Sequence, residues 1–183
     1  MVYILMADGF EEIEGIMVVD LLRRARIDIK MVSISDDIMV TSSHSVPIKT
    51  DMLLKDMPED AEMIVLPGGL KGTNNLKASA AVKEVITRQN EKGGWLAAIC
   101  AAPTVYGEIG LLKGKKATCY PGLEEGLVGA EWTGPDVTVA VDGNFITSRS
   151  LATSVDFALT IIEILKDKET ADKVAAGVVY RGW

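Results

Sequence analysis

Short, mostly apolar runs alternate with longer amphipathic segments along this sequence, and this alternation restricts the fold more than any other feature. Four segments are predicted as strands: the buried runs Val2–Ala7, Ala61–Leu66 and Trp95–Ile99, and the strand-like segment Asp28–Ile34. A chain that alternates strands with helices forms a mostly parallel sheet with helices on both faces. We therefore predict a single α/β domain that spans residues 1–183.

The rest of the pattern predicts five helices, a hairpin and three further strands. The hairpin pairs Ile38–Thr41 with Ser45–Lys49, and Ser79 is a typical helix N-cap. The predicted helices span Glu12–Ala25, Ser79–Lys92, Ala101–Glu108, Ala152–Lys166 and Glu169–Val179, and the further strands span Lys115–Tyr120, Val137–Val141 and Phe145–Thr147.

Composition and charge argue against several classes of protein. The formal net charge of −7 argues against a general basic surface for nucleic acid. No apolar run reaches the roughly 20 residues of a membrane helix, and the N-terminus lacks the basic region of a signal peptide. The two cysteines are too few for a disulfide framework and match no zinc spacing. We therefore expect a cytoplasmic protein with reduced thiols and with no metal, cofactor, nucleic-acid or membrane partner.

The carboxyl ends of the predicted strands define the candidate site, because ligands bind at that edge of a parallel sheet. The residues at those ends are Asp8–Glu14, Pro67–Gly69, Cys100–Ala102, Tyr120–Pro121 and Ser148–Arg149.

Cys100 is the strongest candidate for a catalytic nucleophile. Pro103 is typical of the first turn of a helix, which places Cys100 on a strand-to-helix turn. Ala98 and Ala102 leave room for a strained turn that exposes the thiol, and the helix N-terminus is expected to lower the pKa of that thiol. The other interpretation is a buried core cysteine, and this is the interpretation that we give Cys119.

Three carboxylates, Glu11, Glu12 and Glu14, open the first predicted helix. The helix dipole stabilises carboxylates at this end, which by itself accounts for Glu11 and Glu12. Glu14 lies furthest into the helix and is placed to turn towards the strand ends. Burial and a nearby thiolate would raise its pKa there and allow it to carry a proton.

The segment Pro67-Gly68-Gly69 offers backbone N–H groups without side chains, which suits either an oxyanion hole or a simple turn. His44 is the only histidine, and its place in the hairpin indicates a surface residue. The third strand ends at Leu66 rather than at the Asp of a receiver domain. The first strand is not followed by G-x-G-x-x-G, which argues against a dinucleotide site.

These motifs together resemble the ThiJ/PfpI superfamily, and within it the branch of the Parkinson disease protein deglycase and YajL. The similarity extends over nearly the whole chain and is carried by D-G-F-E-E-I-E, V-V-D-L-L-R-R-A, V-L-P-G-G, S-A-A-V-K-E, A-A-I-C-A-A-P, K-A-T-C-Y-P, I-T-S-R and T-S-V-D-F-A-L. The resemblance implies a flavodoxin-like three-layer α/β sandwich of the class I glutamine amidotransferase-like type, usually a homodimer.

The same resemblance implies roles for individual residues. Cys100 matches the family's oxidisable nucleophile, and Glu14 matches the carboxyl that hydrogen-bonds it. Gly69 and Ala101, together with Gly68, match the backbone donors.

Four further residues are expected to line the pocket: Tyr120, Ser148, Arg149 and His44. Tyr120 stands where many relatives carry histidine, so a Cys–His relay is missing at that position. Ala101 stands where the protease-like branch has histidine, which weakens a peptidase interpretation.

The leading hypothesis is a cysteine-dependent protein that acts on reactive carbonyls, either glyoxalase-like on small aldehydes or as a deglycase on glycated substrates. The alternative is a non-catalytic oxidative-stress sensor or redox chaperone, and an intracellular peptidase or amidase comes third. We also expect a homodimer that pairs through the first helix and the Ile38–Lys49 hairpin, because Met17 and Val18 add apolar area beyond one buried stripe.

Overall fold

The computed structural model describes residues 1–183, which form eleven strands and six helices. The strands are β1 (Val2–Met6), β2 (Ile29–Ser33), β3 (Met39–Thr41), β4 (Pro47–Lys49), β5 (Met52–Leu53), β6 (Met63–Leu66), β7 (Trp95–Ile99), β8 (Lys116–Ala117), β9 (Glu131–Trp132), β10 (Val139–Asp142) and β11 (Phe145–Ser148). The helices are α1 (Glu12–Arg24), α2 (Leu70–Ala78), α3 (Ala80–Glu91), α4 (Pro103–Glu108), α5 (Ser154–Leu165) and α6 (Lys168–Gly177).

Seven strands form one central sheet in the order β10-β11-β7-β6-β1-β2-β5. All neighbours in it run parallel except β10, which pairs antiparallel with β11 at one edge. The three middle strands β7, β6 and β1 are adjacent, so their carboxyl ends lie side by side. The predicted mostly parallel α/β architecture is confirmed.

Two apolar cores lie on opposite faces of this sheet. On one face, α1, α5 and α6 pack against the sheet through residues such as Leu22, Phe157 and Ala171. On the other face, α2, α3 and α4 do the same through residues such as Leu76, Ile86 and Tyr106. The result is a three-layer sandwich that holds the strand ends in fixed positions. None of its helices is both long and apolar enough to cross a membrane.

The predicted strand over Lys115–Tyr120 is wrong in its extent. Only Lys116–Ala117 is extended, and it pairs with β9 in a separate small sheet. Beyond it, the N–H of Thr118 donates to the side-chain oxygen of Thr147, at 3.0 Å, instead of to a strand partner. Cys119 therefore lies outside any strand, although it is buried.

The hairpin and the first helix are close to their predicted bounds. β3 and β4 pair antiparallel, with Val40 opposite Ile48. α1 begins after Glu11, whose carboxylate accepts a hydrogen bond from the N–H of Glu14, at 2.8 Å. The expectation that Val18 adds exposed apolar area is wrong, because Val18 is fully buried in the core.

Candidate active site

The site forms where the ends of β1, β6 and β7 meet. Glu14 lies in the first turn of α1, which follows β1, while Gly68 and Gly69 follow β6 and Cys100 follows β7. The N–H of Glu11 donates to the carbonyl of Gly68, at 2.9 Å, and this hydrogen bond joins the first two of these loops. Adjacent parallel strands thus bring together residues that are far apart in the sequence.

Cys100 occupies a strained turn, as predicted from the small residues that flank it. Its φ is 64°, in the left-handed region, which costs a residue with a side chain on the order of 1 kcal/mol. Two hydrogen bonds hold the turn: the N–H of Cys100 donates to Ser148 at 3.1 Å, and its carbonyl accepts from the N–H of Tyr120 at 2.7 Å. The flanking Ala98 and Ala102 are fully buried, so larger side chains at either position would have no room.

The Glu14 carboxyl is buried beside the thiol. Only 1% of the residue is exposed, and its Oε2 atom has no hydrogen-bond partner. Burial is the main cause that raises its pKa, to about 7, and the charge of Glu11 adds to the effect. The Cys100 thiol and the backbone N–H groups of Gly68 and Leu151 partly offset this rise. A carboxyl with a pKa near neutrality can both accept and give up a proton.

The expectation that a helix dipole lowers the pKa of Cys100 is wrong. Burial, followed by the charge of Glu14, raises the pKa of this thiol to about 12. The backbone N–H groups of Gly69 and Ala101 oppose the rise without cancelling it. The helix that follows starts only at Pro103 and is six residues long. With Glu14 ionised, Cys100 is therefore a thiol, and its sulfur gains negative charge when a proton passes to Glu14.

Gly68 and Gly69 have different roles. The N–H of Gly69 faces the Cys100 sulfur, whereas the N–H of Gly68 faces the Glu14 carboxyl. Gly69 has a φ of 87°, and a side chain there would overlap the backbone of the loop after β1, including Glu11. The donors that the structure brings to the sulfur are thus Gly69 and Ala101.

A cavity of about 240 Å³ opens at the thiol. Its lining residues are Leu70, Cys100, Ala101, Tyr120, Pro121 and Leu123. Tyr120 and Pro121 were among the strand-end residues selected from the sequence, whereas Leu70 and Leu123 were missed. Leu70 directly follows the selected residue Gly69, so adjacency in the sequence was the available signal for it.

Ser148 and Arg149 lie beside the site but do not line this cavity. The Ser148 hydroxyl donates to the carbonyl of Thr138 at 2.8 Å, and its carbonyl supports the Cys100 turn. The Arg149 guanidinium donates to the carbonyls of Gly134 and Pro135. Both residues therefore brace the surrounding loops, and the expectation that they form the pocket wall is wrong for this cavity.

His44 is also absent from the lining of this cavity. Its Nδ1 atom lies 2.8 Å from a carboxylate oxygen of Glu12 and 4.0 Å from one of Glu11, and its side chain is 72% exposed. The histidine thus pairs with the acidic start of α1, as a surface residue, and is not a neighbour of the thiol in the pocket.

Cys119 differs from Cys100 in access. It is 1% exposed, and burial, with the charge of Glu124, raises the pKa of its thiol to about 12. The charge of Arg149 opposes this rise without cancelling it.

Known proteins resemble this chain over most of its length. Residues 1–164 match the model of the DJ-1/PfpI family. Protein dj-1beta of Drosophila melanogaster is 40% identical over 96% of this chain and 95% of that protein. The crystal structure of Drosophila melanogaster DJ-1beta superposes with a TM-score of 0.93, at 38% identity, over 98% of this chain and 97% of that one.

A more distant relative, named Deglycase PYRAB04690, comes from Pyrococcus abyssi and is 28% identical over 81% of this chain and 89% of that protein. Protein DJ-1 homolog B of Arabidopsis thaliana is 37% identical over 98% of this chain, which spans only 41% of that longer protein. The family model and the Drosophila relative each cover nearly all of the chain. This chain belongs to the DJ-1/PfpI family.

Proposed function

We propose that this protein is a cysteine-dependent enzyme that converts reactive 2-oxoaldehydes such as methylglyoxal into 2-hydroxy acids. The single observation that supports this most is the pairing of Cys100 with a buried carboxyl, Glu14, whose pKa is about 7. The name of the Pyrococcus relative, a deglycase, is in keeping with chemistry on carbonyl adducts. Release of early glycation adducts would use the same thiol and carboxyl.

In the first step, the Cys100 sulfur adds to the aldehyde carbon. The thiol proton passes to the Glu14 carboxylate as the carbon–sulfur bond forms, because the pKa of about 12 for Cys100 in this site is too high for the thiol to ionise on its own. Backbone N–H groups of Gly69 and Ala101 hold the resulting oxyanion. Protonation of this oxyanion by Glu14 gives a hemithioacetal and restores the carboxylate.

In the second step, Glu14 removes the proton from the former aldehyde carbon and returns it to the neighbouring carbon. The first carbon is oxidised to a thioester while the second is reduced to an alcohol, so the step needs no external oxidant or reductant. Water then hydrolyses the thioester, which releases the 2-hydroxy acid as its carboxylate together with one proton and regenerates the thiol. The overall reaction is the addition of one water to the 2-oxoaldehyde.

Lactate formation from methylglyoxal tests this proposal. We expect wild type and Cys119→Ser to form lactate, and Cys100→Ser and Glu14→Ala to lose the activity. Cys119→Ser is the matched control, because it removes the other thiol and leaves the pair intact. Equal lactate formation by wild type and Cys100→Ser would overturn the proposal.

We also propose a second candidate function, a redox sensor or redox chaperone in which Cys100 is oxidised to a sulfinic acid. It is favoured by the absence of histidine from the residues that line the cavity, which leaves the thiol without the usual relay. A protonated Glu14 would donate to a sulfinate oxygen and stabilise that state. Peroxide sensitivity without turnover of any aldehyde would favour this function over the first.

The remaining assignments are proposals of the same kind. A homodimer is supported by the partly exposed apolar residues on α1 and the hairpin, and a cytoplasmic location is supported by two free cysteines. A peptidase is disfavoured, because the only histidine is paired with Glu12 and cannot serve Cys100 as a base.

A further inference from the structure

We propose that the cavity beside Cys100 selects 2-oxoaldehydes that carry an apolar substituent, and that Leu70, Tyr120 and Leu123 form the surface that recognises it. The inference rests on the proposed function and names the substrate class within it. Under this inference, the cavity prefers short-chain and aromatic 2-oxoaldehydes to carbonyl adducts that carry charged or polyhydroxylated groups.

The polar and apolar groups of the site are segregated. The groups that can bind two adjacent carbonyl oxygens, namely the Glu14 carboxyl and the N–H groups of Gly69 and Ala101, all lie around the sulfur. The rest of the cavity wall is built from side chains of Leu70, Tyr120, Pro121 and Leu123. When the aldehyde carbon is at the sulfur, the substituent of the 2-oxo carbon must lie against this wall.

The wall offers no partner for a charge. None of its four side chains carries a carboxylate, an amine or a guanidinium, and the only hydroxyl among them is the phenol of Tyr120. A charged or sugar-like substituent would lose part of its hydration there without gaining hydrogen bonds, which disfavours its binding. An apolar substituent meets no such penalty.

The cavity also has room and uncovered surface for such a substituent. Its volume is about 240 Å³, whereas a cavity of about 150 Å³ already holds benzene. Leu70 is 63% exposed and Tyr120 is 47% exposed, so both present apolar area that a substituent would remove from water. Burial of one CH₂ group corresponds to about a fourfold gain in binding.

A homologous series of alkyl 2-oxoaldehydes tests the inference. Methylglyoxal, 2-oxobutanal and 2-oxopentanal have nearly the same electrophilic carbon and differ only in substituent length. We expect kcat/KM of the wild-type protein to rise about fourfold with each added CH₂. Phenylglyoxal, whose ring fits the volume, should be turned over at least as well as 2-oxopentanal.

Substitutions in the apolar wall test whether the wall causes the rise of kcat/KM with substituent length. Leu70→Ser should flatten the rise to less than twofold per CH₂, and because Leu70 is exposed the substitution leaves the core intact. Leu123→Ser and Tyr120→His should act in the same direction. Val141→Ser is the matched control, because Val141 is 47% exposed on the edge strand β10 and does not line the cavity, so the fourfold trend should persist.

The outcomes separate this inference from the proposed function. Turnover of all substrates by the wild type with a flat or falling kcat/KM along the series would overturn the inference and leave the proposed function standing. An unchanged trend in Leu70→Ser and Leu123→Ser would also overturn it. Absence of turnover of any 2-oxoaldehyde would overturn the proposed function and the inference together.

Discussion

Glu14 and Cys100 both lie against the α-carbon of one residue, Gly68. A β-carbon on Gly68 would overlap Oε2 of Glu14 and the β-carbon of Cys100, and it would lie 3.0 Å from the Cys100 sulfur. Gly68 therefore does not serve the site through flexibility. It leaves the space in which the carboxyl and the thiol approach each other.

This relationship predicts the effect of Gly68→Ala. The new methyl group would push the carboxyl and the thiol apart, so we expect at least a hundredfold loss of turnover and a loss of stability of about 2 kcal/mol from overpacking. Turnover assays and urea unfolding measure the two effects. Gly177→Ala, at the end of α6 with no atom near its β-carbon, is the control and should keep full activity. Near-normal activity of Gly68→Ala would contradict the geometry of the pair.

The pKa of Glu14 predicts how activity depends on pH. Glu14 acts as the base in the first step, so it must be ionised, and its pKa is about 7. We expect kcat/KM for methylglyoxal to rise as pH increases through about 7 and to level off above it. Glu14→Gln should have little activity and no inflection in this range. A wild-type profile that is flat from pH 5 to 9 would show that Glu14 is not the titrating base.

The raised pKa of Glu14 also predicts that its ionised carboxylate destabilises the protein at neutral and alkaline pH. The folded pKa of about 7 lies above the ordinary value of 4.5, so the folded state binds the proton more tightly than the unfolded state. The contribution of this tighter proton binding to the free energy of unfolding is fully present below about pH 4.5 and is lost as pH rises through about 7. Glu14→Gln should therefore increase the free energy of unfolding by about 3 kcal/mol at pH 8 and by little at pH 4.

Denaturant titrations of wild type and Glu14→Gln at both pH values make this measurement. Glu12→Gln is the matched control from the same helical turn, because the pKa of Glu12 is lowered rather than raised. The control should not stabilise the protein at pH 8. A Glu14→Gln variant that is less stable than the wild type at pH 8 would refute the expected cost of the buried carboxylate.

Oxidation should distinguish the two cysteines by access. Burial raises the pKa of both thiols to about 12, so ionisation does not separate them. Cys100 lines the open cavity, whereas Cys119 is 1% exposed. Mild peroxide should add about 32 Da at Cys100 first, the mass of the two oxygens of a sulfinic acid. Glu14→Leu should make this state less stable than Glu14→Gln, which keeps a donor. Peptide mass spectrometry that finds equal oxidation, or a preference for Cys119, would contradict the assignment.

The proposed homodimer predicts a sedimenting species of twice the 19.7 kDa chain mass. Ile13 on α1, Met39 on β3 and Val46 in the hairpin are each 42% exposed and supply apolar area for the contact. Met39→Glu should shift the equilibrium towards monomer in analytical ultracentrifugation at micromolar concentration. Val179→Glu, at a residue that is 74% exposed near the C-terminus, should leave the dimer intact. A wild-type protein that sediments only as monomer would disprove the pairing.

Local errors in the sequence-based prediction have a tertiary cause. α2 was not predicted because Gly72, Asn74 and Asn75 are poor helix formers. It forms because contacts with the loop after β1 hold it: the N–H of Gly72 donates to the carbonyl of Gly9 at 3.0 Å, and the Asn75 side chain donates to that of Asp8 at 2.8 Å. Such contacts between distant segments leave no periodic pattern in the sequence.

The sequence by itself determined the parallel sheet and the position of Cys100 at a strand end, because apolar periodicity and the small residues around Cys100 are local properties of the chain. Only the tertiary structure decided the chemistry of the pair. The pKa of about 7 for Glu14 and of about 12 for Cys100 arise from burial against each other. The extent of that burial depends on how α1, β6 and β7 pack, and a sequence pattern does not report the dielectric environment that this packing creates.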